Sequence, residues 1–226
     1  MLNAEDAVDY LGARAGEPAA NWLRESLAEV RAAGPAGNAF ARAWGQAGRR
    51  LGRVEMAVGE AAVPPLSLPA AGFCVDEYGR ALLLLATLAG TVADAQVALV
   101  ENLYDTGELR EQQAVLRALP HAPAPERYLT VAVEAVRHNA TSVIAAIACD
   151  NEYPARYFPE AAFNQMVLKC LFVGLPLGRI VGLTSRIGPE LRRMVSGYAS
   201  ERRAAGRPVP ADAALILEGE NAHAPV

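Results

Sequence analysis

Apolar residues recur every three or four positions along most of the chain, and segments with this spacing are separated by proline and glycine. These segments are rich in Ala, Leu, Arg and Glu, which lose little conformational freedom on entering a helix. An alternating apolar and polar pattern of the strand type is nowhere sustained. The pattern therefore predicts an all-α protein.

Apolar stripes and the residues that flank them place the individual helices. Predicted helical segments include or begin at Pro18, Asn38, Asp76 or Glu77, Val92, Glu108, Tyr128, Val143, Pro159 and Pro189, with one further turn over residues 214–217. Short helices with brief connections are typical of a right-handed stack of antiparallel helices, either a HEAT/TPR-like solenoid or an irregular bundle. No repeat of fixed period distinguishes these two architectures.

The stretch from Gly59 to Gly72 contains three prolines and is the longest irregular part of the chain. Clusters of proline and glycine between helical segments are typical of a linker. We therefore predict an N-terminal helical region over residues 1–72, a larger helical domain over residues 73–210 and a C-terminal tail over residues 211–226.

Composition narrows the class of protein. Hydrophobic residues make up 52% of the chain and charged residues 20%, which is too apolar for a disordered coil. The net charge of −4 is the wrong sign for a surface that binds nucleic acid through its phosphates. The longest apolar stretches, residues 81–93 and 166–183, are interrupted or too short for the roughly 20 residues that span a bilayer. We expect neither a nucleic-acid partner nor a membrane-spanning segment.

The cysteines and the acidic N-terminus indicate in which cellular compartment the protein is expected. Cys74, Cys149 and Cys170 are odd in number and far apart, so they form neither a disulfide framework nor a Cys-x-x-Cys site. The first ten residues carry three acidic side chains where an export signal would be basic and then apolar. The sequence predicts a soluble, cytoplasmic protein.

Motifs of common enzyme classes are missing from the sequence. The three histidines are widely spaced, and no nucleophile elbow, dinucleotide-binding loop or Walker-type loop occurs. We therefore predict no catalytic residue, no metal site and no cofactor from motifs.

One segment, C149-D-N-E-Y-P-A-R-Y-F-P-E-A-A-F-N-Q-M-V-L-K-C-L-F-V-G-L-P-L-G-R-I-V-G-L183, gathers five of the fourteen aromatic residues together with several polar ones. Its helix after Pro159 is apolar on nearly every side, which predicts burial, so its polar side chains need partners or a polar cavity. The candidate ligand-binding residues of this segment are Asp150, Asn151, Tyr153, Arg156, Tyr157, Asn164 and Lys169.

Each candidate also has a structural interpretation. Lys169 is the only lysine beside twenty arginines, and it is either an ammonium held in a site or a packed stem whose head reaches solvent, Asp150 or Glu160. Asp150 and Asn151 suit a turn and a helix cap better than catalysis. The aromatic group suits packing at a helix corner better than a ligand-stacking wall.

Arginines also form a basic strip near the C-terminus, at Arg192, Arg193, Arg202 and Arg203. Their side of the predicted helix is opposite an apolar stripe. A solvated face explains this strip best, and binding of acidic partners or phosphates is the alternative.

Three stretches, ALVENLYDTGELREQQAVLRALP, ACDNEYPARYFPEAAFNQMVLKCLFVGLPLGRIVGL and PELRRMVSGYASERRAAGRPVP, resemble the EboA family of metabolite traffic proteins. The resemblance covers roughly Arg80 to Pro210 and is most specific from Asp150 to Leu183. It implies that residues 73–210 form an EboA-like helical domain. It also implies a bacterial protein, encoded in a gene cluster that moves secondary-metabolite precursors towards the cell envelope.

The resemblance further implies the kind of partner: a small metabolite or a cluster-encoded protein, with association with a membrane prenyltransferase or envelope machinery. It carries over no reaction and no catalytic residue. The leading hypothesis is a non-enzymatic helical carrier or adaptor. The alternatives are an enzyme of secondary metabolism with an acid-base or Schiff-base centre at Lys169, and a helical scaffold that binds protein.

Overall fold

The computed structural model describes residues 4–34, 37–55 and 73–218. These residues form twelve α-helices, five short 3-10 helices and no strand beyond one isolated bridge between Glu55 and Cys74. The α-helices are α1 (Ala4–Ala15), α2 (Glu17–Ala33), α3 (Ala39–Leu51), α4 (Val75–Ala89), α5 (Ala93–Thr106), α6 (Leu109–Ala118), α7 (Leu129–Val136), α8 (Thr141–Ala148), α9 (Tyr153–Tyr157), α10 (Glu160–Val173), α11 (Pro189–Ala204) and α12 (Ala214–Leu217). The prediction of an all-α fold is confirmed.

Most predicted segments coincide with helices α2 to α8 and α10 to α12. Helix α1 was not predicted, although Ala7, Val8 and Leu11 form a buried stripe along it. The predicted linker from Gly59 to Gly72 lies outside the described residues.

The chain divides into two compact units, residues 1–131 and 132–226. The predicted boundary after residue 72 therefore falls within the first unit, where α1, α2 and α3 all contact α4.

Helix α4 is the centre of the first unit and also contacts α6. Every side chain from Val75 to Leu85 is buried. Helix α3 approaches α4 closely at Gly79, where an added Cβ would lie 2.2 Å from Cδ1 of Leu51. At the end of α4, the amide of Gln96 donates to the carbonyl oxygens of Leu88 and Thr91 at 2.8 and 2.9 Å. These bonds connect the start of α5 to the end of α4.

Helix α10 contacts α8 and α11 in the second unit. One side of α10 is core, with the buried residues Phe163, Met166, Val167, Cys170 and Leu171. The expectation that this helix is buried all round is wrong, because Phe172 is 71% exposed and Lys169 is half-buried. Packing on one side leaves the opposite flank without a covering helix among the described residues.

Three of the four arginines in the basic strip of α11 bind other groups of the same protein. Arg192 donates to the carbonyl of Ile216, Arg193 pairs with Glu190, and Arg202 donates to the carbonyl of Pro208 at 2.9 Å. The basic strip is thus largely a set of local structural contacts. The first part of the predicted tail is folded, since α12 contacts α11.

Candidate functional site

The predicted site segment begins with a turn centred on Asp150, whose φ of 52° lies in the left-handed region that Asp tolerates better than most residues. Its backbone N–H donates to the carbonyl of Arg179 at 2.8 Å. Its carboxylate accepts hydrogen bonds from Nε of Arg179, at 2.8 Å, and from Nη2. Asp150 and Arg179 therefore bind one another, and this ion pair raises the pKa of Arg179.

Asn151 connects two helices. Its Nδ2 donates to the carbonyl of Ala146 at 2.9 Å, and its Oδ1 accepts from the N–H of Tyr153 at 2.9 Å. These bonds satisfy a carbonyl of α8 and a backbone donor of α9. The interpretation of Asp150 and Asn151 as a turn and cap is confirmed.

Aromatic side chains meet at the corner between α9 and α10. The ring of Tyr153 lies 4.8 Å from that of Tyr157 and 6.3 Å from that of Phe158, centroid to centroid. The guanidinium of Arg186 stacks 4.2 Å over the ring of Phe163. This arrangement confirms packing at a helix corner.

Arg186 was missed in the sequence, yet it holds this corner together. Its two terminal nitrogens donate at 2.7 Å to the carbonyls of Pro154 and Phe158, at the two ends of the short helix α9. Burial lowers the pKa of its guanidinium, and the carboxylate of Glu160 opposes that change. A single Arg thereby donates charged hydrogen bonds to backbone carbonyls near both ends of α9.

The remaining candidate ligand-binding residues do not come together in one site. Arg156 is exposed and pairs with Glu152 at 3.1 Å. Asn164 is 2% exposed, and its Oδ1 has no hydrogen-bond partner in the described part of the chain. Lys169 forms no ion pair with any described carboxylate. Asn164 and Lys169 are five residues apart, so they point about 140° away from one another around α10.

A cleft of about 1020 Å³ opens in the first unit, between α1, α2 and α4. Aliphatic side chains from all three helices line it: Val8, Leu27, Val30, Leu82, Leu85 and Ala86. Spacings of three residues place Leu27 and Val30 on one face of α2, and Leu82 and Leu85 on one face of α4. The cleft was not predicted from the sequence.

Charged residues line the cleft as well: two acids, Glu5 and Glu25, and two arginines, Arg24 and Arg31. Their formal charges cancel. Arg24 donates to Asn21 at 2.6 Å and to Asp9 at 2.5 Å. Its guanidinium therefore binds side chains of both α2 and α1.

A buried ion cluster joins α4 to α6 in the same unit, formed by Asp76, Glu77, Arg80, Arg110 and Arg117. Asp76 is 1% exposed and accepts from Arg80 at 2.7 Å and from Arg110 at 3.0 Å. Glu77 lies 3.5 Å from Arg110 and 3.9 Å from Arg117. Because each buried carboxylate faces two arginines, the cluster offsets much of its own desolvation cost.

Burial raises the pKa of Glu77, while Arg117 and Arg110 oppose that change. Burial also raises the pKa of Tyr78 to about 12. The sequence contained a signal for this cluster, since three charged residues lie in the first two turns of a helix that is otherwise mostly apolar as far as Leu88.

In the described ranges, no group of three or more His, Cys, Asp or Glu side chains is placed to hold a metal ion. None of the described helices combines the length and the apolar character needed to cross a membrane.

Comparison with known proteins gives one match. No curated protein and no solved structure matches the chain. The profile of the family described as metabolite traffic protein EboA matches residues 6–217, which takes in α1 to α12 apart from the first residues of α1. The match begins well before Arg80, so the helices that line the cleft belong to it. The chain is a member of the EboA family of metabolite traffic proteins.

Proposed function

We propose that this protein is a non-enzymatic carrier in bacterial secondary-metabolite precursor traffic, and that it holds a small metabolite in the cleft between α1, α2 and α4. Family membership supports a role in metabolite traffic. The cleft is the observation that carries the proposal, because its volume of about 1020 Å³ suits a small organic molecule.

The lining of the cleft supports binding rather than catalysis. Among the described lining residues, the one hydroxyl side chain, Thr87, donates to the carbonyl of Leu83 at 2.9 Å within its own helix. The titratable side chains described there are two acids and two arginines, and they include no thiol, amine or imidazole.

The geometry around Lys169 also favours a carrier over the enzyme alternative. An acid-base or Schiff-base centre needs a carboxylate near the lysine, and Asp150 and Glu160 were the expected ones. Asp150 binds Arg179, and the charge of Glu160 acts on Arg186. An enzyme centred on Lys169 therefore lacks its expected acid-base partner.

An adaptor role is the second candidate, favoured by the exposure of Phe172. This residue belongs to the segment most specific to the family, and 71% of its surface is exposed on α10. We propose that this flank docks on a cluster-encoded protein, a membrane prenyltransferase or envelope machinery among them. Loss of co-purification in a Phe172→Ser variant that folds normally supports this role, and unchanged co-purification contradicts it.

Native mass spectrometry tests the carrier proposal directly. The protein is purified from a host that expresses the whole cluster, alongside Ala28→Trp, which fills the cleft from an exposed position on α2. The matched control is Ala98→Trp, at an exposed alanine of α5 outside the cleft. We expect a small-molecule adduct on the wild type and the control and none on the cleft variant. Absence of an adduct from all three contradicts the proposal.

A further inference from the structure

We infer that the cleft accepts an uncharged, hydrocarbon-rich molecule, and that shape and apolar area select it rather than a charged headgroup. The inference rests on the proposed function and adds the chemical class of the ligand. Three features of the cleft carry it: its floor, its charges and its hydrogen-bonding groups.

The floor is aliphatic and deeply placed. Leu27, Val30, Leu82 and Leu85 are each at most 5% exposed, yet all four line the cleft. Because these side chains expose so little surface, the apolar area that binding removes from water here is mainly that of the ligand, which favours a hydrocarbon-rich molecule. A polar ligand would lose hydration there without gaining partners.

The charges of the cleft do not favour a charged ligand. Two acids and two arginines line it, so an anion meets as much like charge as opposite charge. One of the arginines, Arg24, already pairs with Asp9. The buried ion cluster of the same unit differs from the cleft, because there the carboxylate of Asp76 binds two arginines, Arg80 and Arg110. Among the described residues of the cleft, no comparable group of charges of one sign surrounds a buried position.

The hydroxyl and the carbonyl of Thr87, which line the cleft, are already used by the protein. The hydroxyl of Thr87 donates to Leu83, and its carbonyl accepts from the hydroxyl of Thr91 at 2.8 Å and from the N–H of Gly90 at 3.1 Å. Since both polar groups of Thr87 are satisfied, a ligand gains little by offering them a donor or acceptor. Recognition therefore depends on fit to the aliphatic floor.

A matched pair of fluorescent probes tests the ligand class. N-phenyl-1-naphthylamine is uncharged, and 1-anilinonaphthalene-8-sulfonate is the same ring system with one sulfonate. We expect the uncharged probe to bind the full-length protein at least about tenfold more tightly, because the sulfonate loses hydration in the cleft and meets two acids there as well as two arginines.

Tryptophan variants locate the binding. Ala28→Trp and Ala89→Trp fill the cleft from α2 and α4, and both alanines are exposed, so the fold tolerates them. We expect each to weaken binding of the uncharged probe by roughly tenfold or more. Ala98→Trp, outside the cleft, is the control and leaves binding unchanged. Circular dichroism verifies that all three variants are folded.

The outcomes separate this inference from the proposed function. Tighter binding of the sulfonate probe, or binding of the uncharged probe that neither cleft variant weakens, overturns the inference, as does failure of both probes to bind. A native adduct that Ala28→Trp removes would still support the carrier in those cases. Conversely, absence of any native adduct contradicts the carrier even where the uncharged probe binds the cleft.

Discussion

Arg110 of α6 binds Asp76 of α4 through two nitrogens of its guanidinium, Nε and Nη2, one to each carboxylate oxygen. The hydrogen bonds to Asp76 raise the pKa of Arg110. Arg80, one turn along α4, binds the same carboxylate at 2.7 Å. Asp76 is thus the shared anion that ties α6 to the central helix of the unit with the cleft.

Replacing Asp76 by asparagine tests this connection. The substitution keeps the size of the side chain but removes the charge of the carboxylate closest to Arg80, itself buried, and to Arg110. The remaining acids are more distant: Glu77 lies 3.5 Å from Arg110, and Glu111 lies 3.8 Å from Arg80. Removing one partner of a buried ion pair costs about 3 kcal/mol or more, so we expect a loss of that size in the free energy of unfolding. Urea denaturation measures it.

The control for Asp76→Asn is Glu190→Gln, which removes an exposed ion pair with Arg193 on α11. Solvent screens that pair, so we expect a far smaller change. Equal losses in the free energy of unfolding of the two variants would show that the buried ion cluster stabilises the fold no more than an exposed ion pair does.

Glu77 makes the stability of the protein depend on pH. Because burial raises its pKa above 4.5 in the folded state, the folded protein binds this proton more tightly than the unfolded chain. That contribution is fully present below pH 4.5 and is lost as the pH rises through the folded pKa. We expect Glu77→Gln, which cannot ionise, to gain in melting temperature relative to the wild type between pH 4.5 and 7.5.

Thermal melts at several pH values measure this difference. The exposed Glu101 of α5 provides the control substitution, Glu101→Gln. A difference between Glu77→Gln and the wild type that stays flat or falls with pH would contradict the proposed effect of burial on Glu77.

Helical periodicity was sufficient to predict the all-α class and most of the helices, because apolar stripes such as that of α10 record which side of a helix faces the core. The stripe did not show how much of the helix is covered: Phe172 is apolar but exposed. Burial depends on which other helix packs against each flank, and that is a property of the tertiary arrangement. A single sequence does not contain it in any local pattern.

The candidate site was harder to predict for the same reason. Asp150 and Asn151 were interpreted correctly as a turn and cap, since their hydrogen bonds are local in sequence. Arg186 lies 28 residues after Phe158, whose carbonyl it binds, and no local pattern relates them. The cleft likewise depends on how α1 and α2 sit against α4, which the periodicity of each helix leaves open.

Arg186 offers a sharp test of the aromatic corner. Arg186→Lys keeps the charge, but one ammonium cannot reach the carbonyls of Pro154 and Phe158 together in the planar geometry that the guanidinium uses. Hydrogen bonds from charged donors contribute about 1.5–3 kcal/mol each, so we expect a loss of about 2 kcal/mol in the free energy of unfolding. Near-ultraviolet circular dichroism should report loosened packing of Tyr153 and Tyr157. Full stability of the lysine variant would contradict this role.

Gly182 holds the loop beside α9 in a backbone conformation with φ of 72°, and an added Cβ would lie 3.0 Å from Cβ of Ala155. Both strain and crowding oppose a side chain there, so Gly182→Ala should destabilise the protein by about 1–2 kcal/mol. The matched control is Gly178→Ala, where an added Cβ meets nothing within 4 Å. Chemical denaturation compares them, and equal stability of both variants would contradict the argument.

Lys169→Ala separates the carrier from the enzyme alternative. Lys169 is half-buried on α10, and none of the described carboxylates pairs with it, so we expect the variant to fold with nearly unchanged stability. Because the cleft is lined by α1, α2 and α4, the variant should also keep the native small-molecule adduct that Ala28→Trp loses. Native mass spectrometry of both variants from the cluster-expressing host measures this. Loss of the adduct in Lys169→Ala alone, or a covalent adduct trapped on Lys169 by borohydride, would favour a Schiff-base enzyme and move the functional site to α10.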